Sequence, residues 1–342
     1  MNPEIVQIEV FAKEILKRCM TDDDPYELRK WITETLAHLS GADNESAILT
    51  WMQSFDLVDT MVSEYERIAN TPEKERKLLT WPWSTWRKLI DPLEDGMLGV
   101  VTAPDGQGKT LYAESISEHW AEHKNKVVFV HYELNRRLMM LRRTARHTGI
   151  LARSIKEGKL TERQKQEIAD IRPRLLSWDG YITYLHTPGW SMEKTTAELY
   201  RLHVEGQCDV VVLDYLEKVS ASATQIKLFG SNIYQREADN VEQLKNFAES
   251  SGVPVLMVAQ MSKAGKSTSF EKMDRTDMRG AGEKSDKANL VVLLSREKAV
   301  DGYSKFVDVL VDKNTMGATG SFRQLMQPEY YRVADIHTGG IQ

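Results

Sequence analysis

Apolar and polar positions follow two rhythms along this 342-residue chain, and the change falls near residue 84. Up to about residue 70 the apolar residues recur every three or four positions. Leu28, Trp31, Ile32, Leu36 and Leu39 share one helical face, and Gly41 follows as a stop signal. A further helix is expected over 45–69, carrying Ile48, Trp51, Met52, Phe55, Leu57, Val58, Met61 and Val62. Asn2-Pro3-Glu4, Asp24-Pro25 and Thr71-Pro72-Glu73 each set a capping side chain before a proline suited to a first helical turn. These signals predict a small all-α domain over 1–70. A unit this short buries little surface by itself, so part of its apolar stripe is available for an interface. The stretch 71–84 reads as a linker, charged at first and ending in Trp81-Pro82-Trp83.

Over 85–342 short continuous apolar runs alternate with helical periodicity. The runs 98–102, 126–131, 181–186, 209–213, 254–259, 290–295 and 306–312 are expected strands. Strands alternating with helices predict an α/β domain with a mostly parallel central sheet. Ligands of such sheets bind beyond the carboxyl ends of the strands, so the residues just past each run matter most. No internal repeat and no low-complexity tract is visible.

The run 98–102 is followed by Ala103-Pro104-Asp105-Gly106-Gln107-Gly108-Lys109-Thr110, and a helical pattern opens at Leu111. Strand, glycine loop, Gly-Lys-Thr and helix form the phosphate-binding loop of nucleoside triphosphatases. Backbone N–H groups of Asp105, Gly106, Gln107 and Gly108 would turn toward a phosphate, aided by the positive end of the helix. Lys109 would reach the β- and γ-phosphates of ATP, and Thr110 would place its hydroxyl on Mg²⁺. Ala103 stands where the common pattern has glycine, at the exit from the strand, and alanine is the smallest replacement. A glycine-rich turn that merely carried a lysine would need neither the strand before it nor the helix after it.

The run 209–213 ends at Asp214, the expected holder of the Mg²⁺ shell. Glu133 stands just beyond 126–131. By position alone it is either a base for the attacking water or a surface residue opening a helix. Gln260 follows 254–259, where a neutral amide can touch the γ-phosphate, although a polar strand end is also ordinary.

Composition narrows the class. The formal net charge is −5, so any nucleic-acid contact must come from local basic loops. One such stretch holds Lys263, Lys266, Lys272, Arg275, Arg279, Lys284 and Lys287, with Gly265, Gly280 and Gly282 among them. Flexible, basic and glycine-bearing segments suit a single-stranded backbone, and a connection of ~25 residues inside a compact domain is itself a functional signal. Cys19 and Cys208 lie far apart and form no metal or redox spacing, which fits a reducing cytosol. No apolar run approaches the ~18 residues of a membrane span, and the acidic N-terminus is unlike a signal peptide.

The ordered set of motifs resembles the RecA-like motor of DnaB-type replicative helicases, and the helicase halves of phage helicase-primases look similar. The set runs from the phosphate loop through Tyr132-Glu133-Leu134, Leu213-Asp214-Tyr215-Leu216, Val258-Ala259-Gln260-Met261 and Asp277-Met278-Arg279-Gly280-Ala281-Gly282 to Lys313-Asn314-Thr315-Met316-Gly317-Ala318-Thr319-Gly320. The resemblance implies that Glu133 is the catalytic glutamate, Asp214 the magnesium-shell aspartate and Gln260 the γ-phosphate sensor. It implies that Arg279, Gly280 and Gly282, with Lys263 and Lys284 nearby, grip single-stranded DNA. It further implies a cytoplasmic, bacterial or phage-encoded protein, ATP and Mg²⁺ as cofactors, and a homo-oligomeric, hexameric ring. Residues 57–80 would dock one subunit on the next, and 1–70 would meet a primase, a loader or another replisome protein.

One position departs from the family. Lys313-Asn314-Thr315 matches a segment that is usually Lys-x-Arg, whose arginine reaches the neighbouring subunit's nucleotide. Lys313 is kept and Thr315 replaces the arginine. Arg323, Arg296 or Arg279 would have to substitute, or Lys313 acts alone, or hydrolysis is slow or completed by another protein. Two other functions stay open at this level: an ATP-binding regulator or loader whose nucleotide drives assembly, and a RecA-like single-strand-binding ATPase.

Overall fold

A computed structural model describes residues 51–71, 77–132, 136–261, 270–277, 285–299 and 302–336, with Ile15, Arg18, Leu28 and Ile32 as isolated helical positions before them. The chain divides into two compact units, Met1–Glu73 and Lys74–Gln342. In the first, helix α1 (Trp51–Asn70) occupies most of the expected 45–69 helix. Its Val58, Met61, Val62 and Tyr65 are each 43–50% exposed. Their spacing puts them on one face, an apolar stripe left open.

The second unit opens with a short helix α2 (Ser84–Arg87) and strand β1 (Leu98–Ala103), then α3 (Lys109–Glu122), β2 (Val127–His131), α4 (Arg136–Thr148), α5 (Ala152–Glu157) and α6 (Glu162–Leu176). It continues with β3 (Ile182–His186), α7 (Met192–Val204), β4 (Val210–Asp214), α8 (Ala223–Phe229), α9 (Ile233–Ser251), β5 (Val255–Gln260) and β6 (Leu290–Ser295). Strands β7 (Lys298–Ala299), β8 (Gly302–Tyr303), β9 (Phe306–Asn314), β10 (Gly320–Gln327) and β11 (Arg332–Asp335) complete it. Among the described residues a nine-stranded sheet runs in the order β11-β10-β9-β6-β1-β5-β4-β2-β3, and β7 and β8 form a separate hairpin. The pairs from β6 to β3 are parallel, and β9, β10 and β11 join antiparallel at the other edge.

Every residue of β1, β2 and β4 is buried. A strand covered on both faces must be apolar throughout, which is why these segments read as continuous runs. Alternate residues feed two cores. Val101 and Ala103 pack with Leu111, Tyr112 and Ile116 of α3, whereas Leu98 and Val100 pack with Leu199 of α7 and Leu244 of α9. The expected strands are all present, with ends moved by one or two residues. Strands β10 and β11 were not expected. Gly320–Gln327 carries Ser321, Arg323 and Gln327 on a partly exposed edge, and β11 has only four residues.

The expected linker needs correction at its end. Trp81 and Trp83, assigned to 71–84, are buried, and with Trp86, Trp120 and Tyr112 they form a ring cluster at centroid distances of 4.9–5.9 Å. Each indole N–H finds an acceptor: Trp81 on the Asp91 carbonyl at 2.9 Å, Trp83 on Val333 at 3.0 Å, Trp86 on the Gln324 amide at 3.0 Å and Trp120 on Thr80 at 2.6 Å. Large rings with satisfied N–H groups are core material, whatever the proline between them suggests.

Candidate active site

The turn from β1 into α3 builds the site. Gly106 and Gly108 have φ of +74° and +99°, a left-handed region that costs side-chain-bearing residues energy. At Gly108 a Cβ would also sit 2.3 Å from Cε of Met326, the far end of a flexible side chain that can shift, so it is the backbone conformation that requires glycine there. Gly108 caps α3 without a side-chain hydrogen bond, which leaves the first helical N–H groups facing the loop. Lys109 is buried and folds back over the loop. Its Nζ donates to the carbonyls of Ala103 at 2.7 Å and Pro104 at 3.2 Å, and lies 3.8 Å from the Asp105 carboxylate. Ala103 thus serves through its carbonyl while its methyl group lies in the core, so the missing glycine costs the turn nothing visible. Gln107 is buried, and its amide oxygen accepts the N–H of Arg296 at 2.7 Å, tying the loop to the residue after β6.

The register of the sheet brings the other groups in. Gln260 ends β5 directly opposite Ala103. Asp214 ends β4, and its Oδ2 accepts the Thr110 hydroxyl at 2.8 Å. Its Oδ1 is buried without a hydrogen-bond partner among the described residues. Burial pushes the Asp214 carboxyl up to about 6, against the Thr110 hydrogen bond and the Lys109 charge, which favour ionisation. A half-satisfied buried carboxylate beside a hydroxyl is a fitting donor pair for a hard divalent cation such as Mg²⁺. A cleft of about 550 Å³ opens over these groups and is lined by Asp105, Gly106, Gly108, Lys109, Thr110, Leu111 and Gln260.

Three further liners were not singled out for this cleft. Arg142 of α4 lies with its guanidinium 5.1 Å from the Tyr331 ring centre, and its Nε is buried without a partner among the described residues. Arg296 donates to the carbonyls of Ser304 at 2.8 Å and Tyr303 at 3.4 Å. The cleft therefore gathers Lys109, Arg142 and Arg296 around space for an anion, with the Tyr331 ring at its rim. Arg142 follows Glu133 by nine residues on the helix after β2, but periodicity there marks a helix without saying which face meets the cleft.

Behind the cleft a buried charge network joins α3 to α4. Glu118 accepts from Arg143 at 2.9 Å, from Arg146 at 2.9 and 3.0 Å and from His147 at 2.9 Å. Arg146 also donates to Glu114 at 2.7 Å. Burial alone would raise the Glu118 carboxyl, but Arg146, His147 and Arg143 outweigh it and hold the group well below the usual carboxylate range. The network fixes the helix bearing Arg142 against the helix bearing Lys109 and Thr110.

Not every expected site residue falls in this cleft. Glu133, Lys263, Arg279, Gly280, Gly282 and Lys284 lie outside the described residues. Lys313 pairs with Val291 near the amino end of β6, which runs parallel to β1, so it stands at the opposite end of the sheet from the phosphate loop. With Thr315 it lines a second cleft of about 410 Å³ that also contains Lys245 and Asn289. Neither Arg323 nor Arg296 stands beside Thr315. Arg323 is paired with Asp308 at 2.6 and 3.1 Å, and Arg296 belongs to the nucleotide cleft of its own chain.

Comparison with known proteins bears on the family and the fold. The chain is 21% identical to the replicative DNA helicase DnaC of Bacillus subtilis (strain 168), over 98% of this chain and 76% of that protein. It is 22% identical to the replicative DNA helicase DnaB of Geobacillus stearothermophilus, over 82% and 62%. For DnaB of Leifsonia xyli subsp. xyli the identity is 24%, over 73% and 54%. The chain thus spans 54–76% of the length of these relatives. One solved ATPase domain superposes with a TM-score of 0.69 at 17% identity, covering 82% of this chain and 99% of that one. A DnaB-like replicative helicase, solved in a study of its interactions with primase, gives 0.72 at 15% identity, covering 98% and 76%. These two likenesses establish the RecA-like fold. Residues 84–335 match the family model described as the DnaB-like helicase C-terminal domain, and the chain belongs to that family.

Proposed function

We propose that this protein is the ATP-hydrolysing motor of a DnaB-type replicative helicase, moving along single-stranded DNA as a ring of subunits. The observation that carries the reading is the convergence of Lys109, Thr110, Asp214 and Gln260 on one cleft of a sheet of this family. ATP binding would draw Lys109 from the Ala103 and Pro104 carbonyls onto the β- and γ-phosphates, where its charge is worth more. Thr110 and Asp214 would hold Mg²⁺, which supplies charge neutralisation between those phosphates. Arg142 and Arg296 are placed to add positive charge, and Gln260 to feel the γ-phosphate leave. Glu133, which follows β2 by two positions in the sequence, is the proposed base for the attacking water.

Lys313 serves this chemistry only across an interface, because within its own chain it stands at the other end of the sheet. A ring supplies that interface. Two exposed apolar surfaces support assembly: the α1 stripe, and Ile226, Leu228, Ile233 and Tyr234 of α8 and α9, each 47–66% exposed. Residues 1–70 remain the proposed meeting point with primase, a loader or another replisome protein, and single-stranded DNA the proposed partner of 262–289. Among the described residues no helix is long and apolar enough to cross a membrane, and action in the cytoplasm is part of the proposal.

Glu133→Gln is expected to keep nucleotide affinity and to lose ~10²–10⁴ in turnover, because an amide cannot accept the proton. Hydrolysis at the parental rate by that variant would remove Glu133 from the mechanism. The second reading, a nucleotide-driven regulator, draws its support from Thr315. Thr315→Arg is expected to raise steady-state hydrolysis by ~10-fold, equivalent to ~1.4 kcal/mol of transition-state stabilisation. A fall instead of a rise would show that another cation already fills the position.

A further inference from the structure

Helix α3 carries an acid that the phosphate-binding turn itself does not require. Glu114 stands one helical turn beyond Thr110, so the two share a face of α3. That helix packs on β4, and Thr110 reaches Asp214 at the strand's end. Glu114 is 3% exposed, with Leu111, Tyr112, Ala113 and Ile116 buried beside it in the chain. An acid this deep is costly unless its oxygens are used. Oε2 accepts from Arg146 of α4 at 2.7 Å. Oε1 is buried and has no hydrogen-bond partner among the described residues. Glu118, one turn further along α3, shows what a purely structural acid does there: both of its oxygens are bonded, to Arg143, Arg146 and His147.

Asp214 repeats the pattern of Glu114. It is 5% exposed, its Oδ2 takes the Thr110 hydroxyl, and its Oδ1 has no partner among the described residues. The two acids are within electrostatic reach of each other. Burial is the main force that raises the Asp214 carboxyl, and the charge of Glu114 raises it further, against the Thr110 hydrogen bond and the charges of Lys109 and Arg142. Arg146 offsets Glu114 but is shared with Glu118. Lys109 offsets Asp214 but would leave for the phosphates of ATP. A hard divalent cation relieves such a pair, since it takes oxygen ligands and cancels the repulsion between them. Mg²⁺ keeps several waters when bound, so an acid can serve it through water without touching it.

We propose that Glu114 is a positioning residue of the Mg²⁺ site, its Oε1 and the Oδ1 of Asp214 together holding water of the cation's shell. The phosphate loop of this chain then works with two carboxylates, one at the end of β4 and one on α3. The bond to Arg146 braces Glu114 on α4 and fixes its direction before nucleotide arrives. This inference rests on the reading of the cleft as a site for ATP and Mg²⁺.

The test uses the full chain, with Mn²⁺ as the probe. Electron paramagnetic resonance measures Mn²⁺ affinity of the ADP-saturated protein, and calorimetric titration in EDTA measures ADP affinity without metal. Glu114→Gln keeps an acceptor for Arg146 and removes the charge. It is expected to weaken Mn²⁺ binding by ~10-fold, the effect usual for a group that orients a metal's ligands, with ADP affinity in EDTA as in the parent. Arg146→Met with Glu114→Leu, which leaves no charge at either position, is expected to weaken Mn²⁺ binding by at least as much. Parental Mn²⁺ affinity in Glu114→Gln overturns the proposal. So does an equal loss of ADP affinity in EDTA, which would mark an acid that only supports the loop. If the parental protein with ADP retains no more Mn²⁺ than ADP alone, the reading of the cleft itself falls and this inference with it.

Discussion

Replacing Lys109 by Ala is expected to lower ATP affinity by ~100-fold or more, measured by calorimetric titration, and to abolish turnover. The ammonium makes charge-assisted hydrogen bonds, each worth about 1.5–3 kcal/mol, and every ~1.4 kcal/mol is tenfold in affinity. Folding should survive, because Lys109 hydrogen-bonds two backbone carbonyls and stands beside exposed Asp105, and buried Asp214, whose ionisation its charge favours, keeps the Thr110 hydroxyl. Gly108→Ala should fail differently. Its φ of +99° strains any residue with a side chain, so the turn itself is disturbed and stability falls along with binding. Wild-type ATP affinity in Lys109→Ala would mean that the β1–α3 turn is not the phosphate site.

The largest loss of stability is expected from Arg146→Ala. Arg146 is 7% exposed and bonds both Glu114 and Glu118, which are themselves 3% and 4% exposed. Removing it leaves two buried carboxylates short of a cation, and breaking a buried pair in this way costs about 3–5 kcal/mol. That is a large part of the ~5–15 kcal/mol that keeps an ordinary domain folded. Chemical denaturation should show the midpoint falling accordingly. Replacing Arg146 and Glu114 together by Met and Leu should recover part of the loss, since Glu118 keeps Arg143 and His147 while no carboxylate is left at 114 without a cation. A change below ~1 kcal/mol for Arg146→Ala would show that water or Arg143 satisfies the carboxylates instead.

The parallel sheet was legible because its strands are buried on both faces, and burial on both faces leaves no freedom for polar residues. The phosphate loop was legible because Gly106, Gly108, Lys109 and Thr110 each answer a separate physical need within a few residues. Ala103 departs from the common pattern, and the structure shows why it is tolerated: its carbonyl holds Lys109 and its side chain is core. The antiparallel edge was less visible, because Gly320–Gln327 mixes faces and carries polar residues on exposed positions. Trp81 and Trp83 were hidden by Pro82, whose local signal speaks of a turn while the rings speak of a core. Arg142 and the Glu118 network were not legible, since one charged residue on a helix looks like another until the neighbouring helix is in place. Thr315 shows the opposite limit. The departure was plain in the sequence, but only the register of β6 and β9 shows that neither Arg323 nor Arg296 stands beside it.

If nucleotide chemistry in this cleft drives movement along DNA, strand displacement will show it. The full chain, given ATP, Mg²⁺ and a forked duplex with single-stranded tails, is expected to release one strand, and Lys109→Ala is expected to release none. A protein that binds ATP in this cleft and assembles with it, yet releases no strand from any fork and hydrolyses no faster with single-stranded DNA, would contradict the motor and leave a nucleotide-driven regulator in its place.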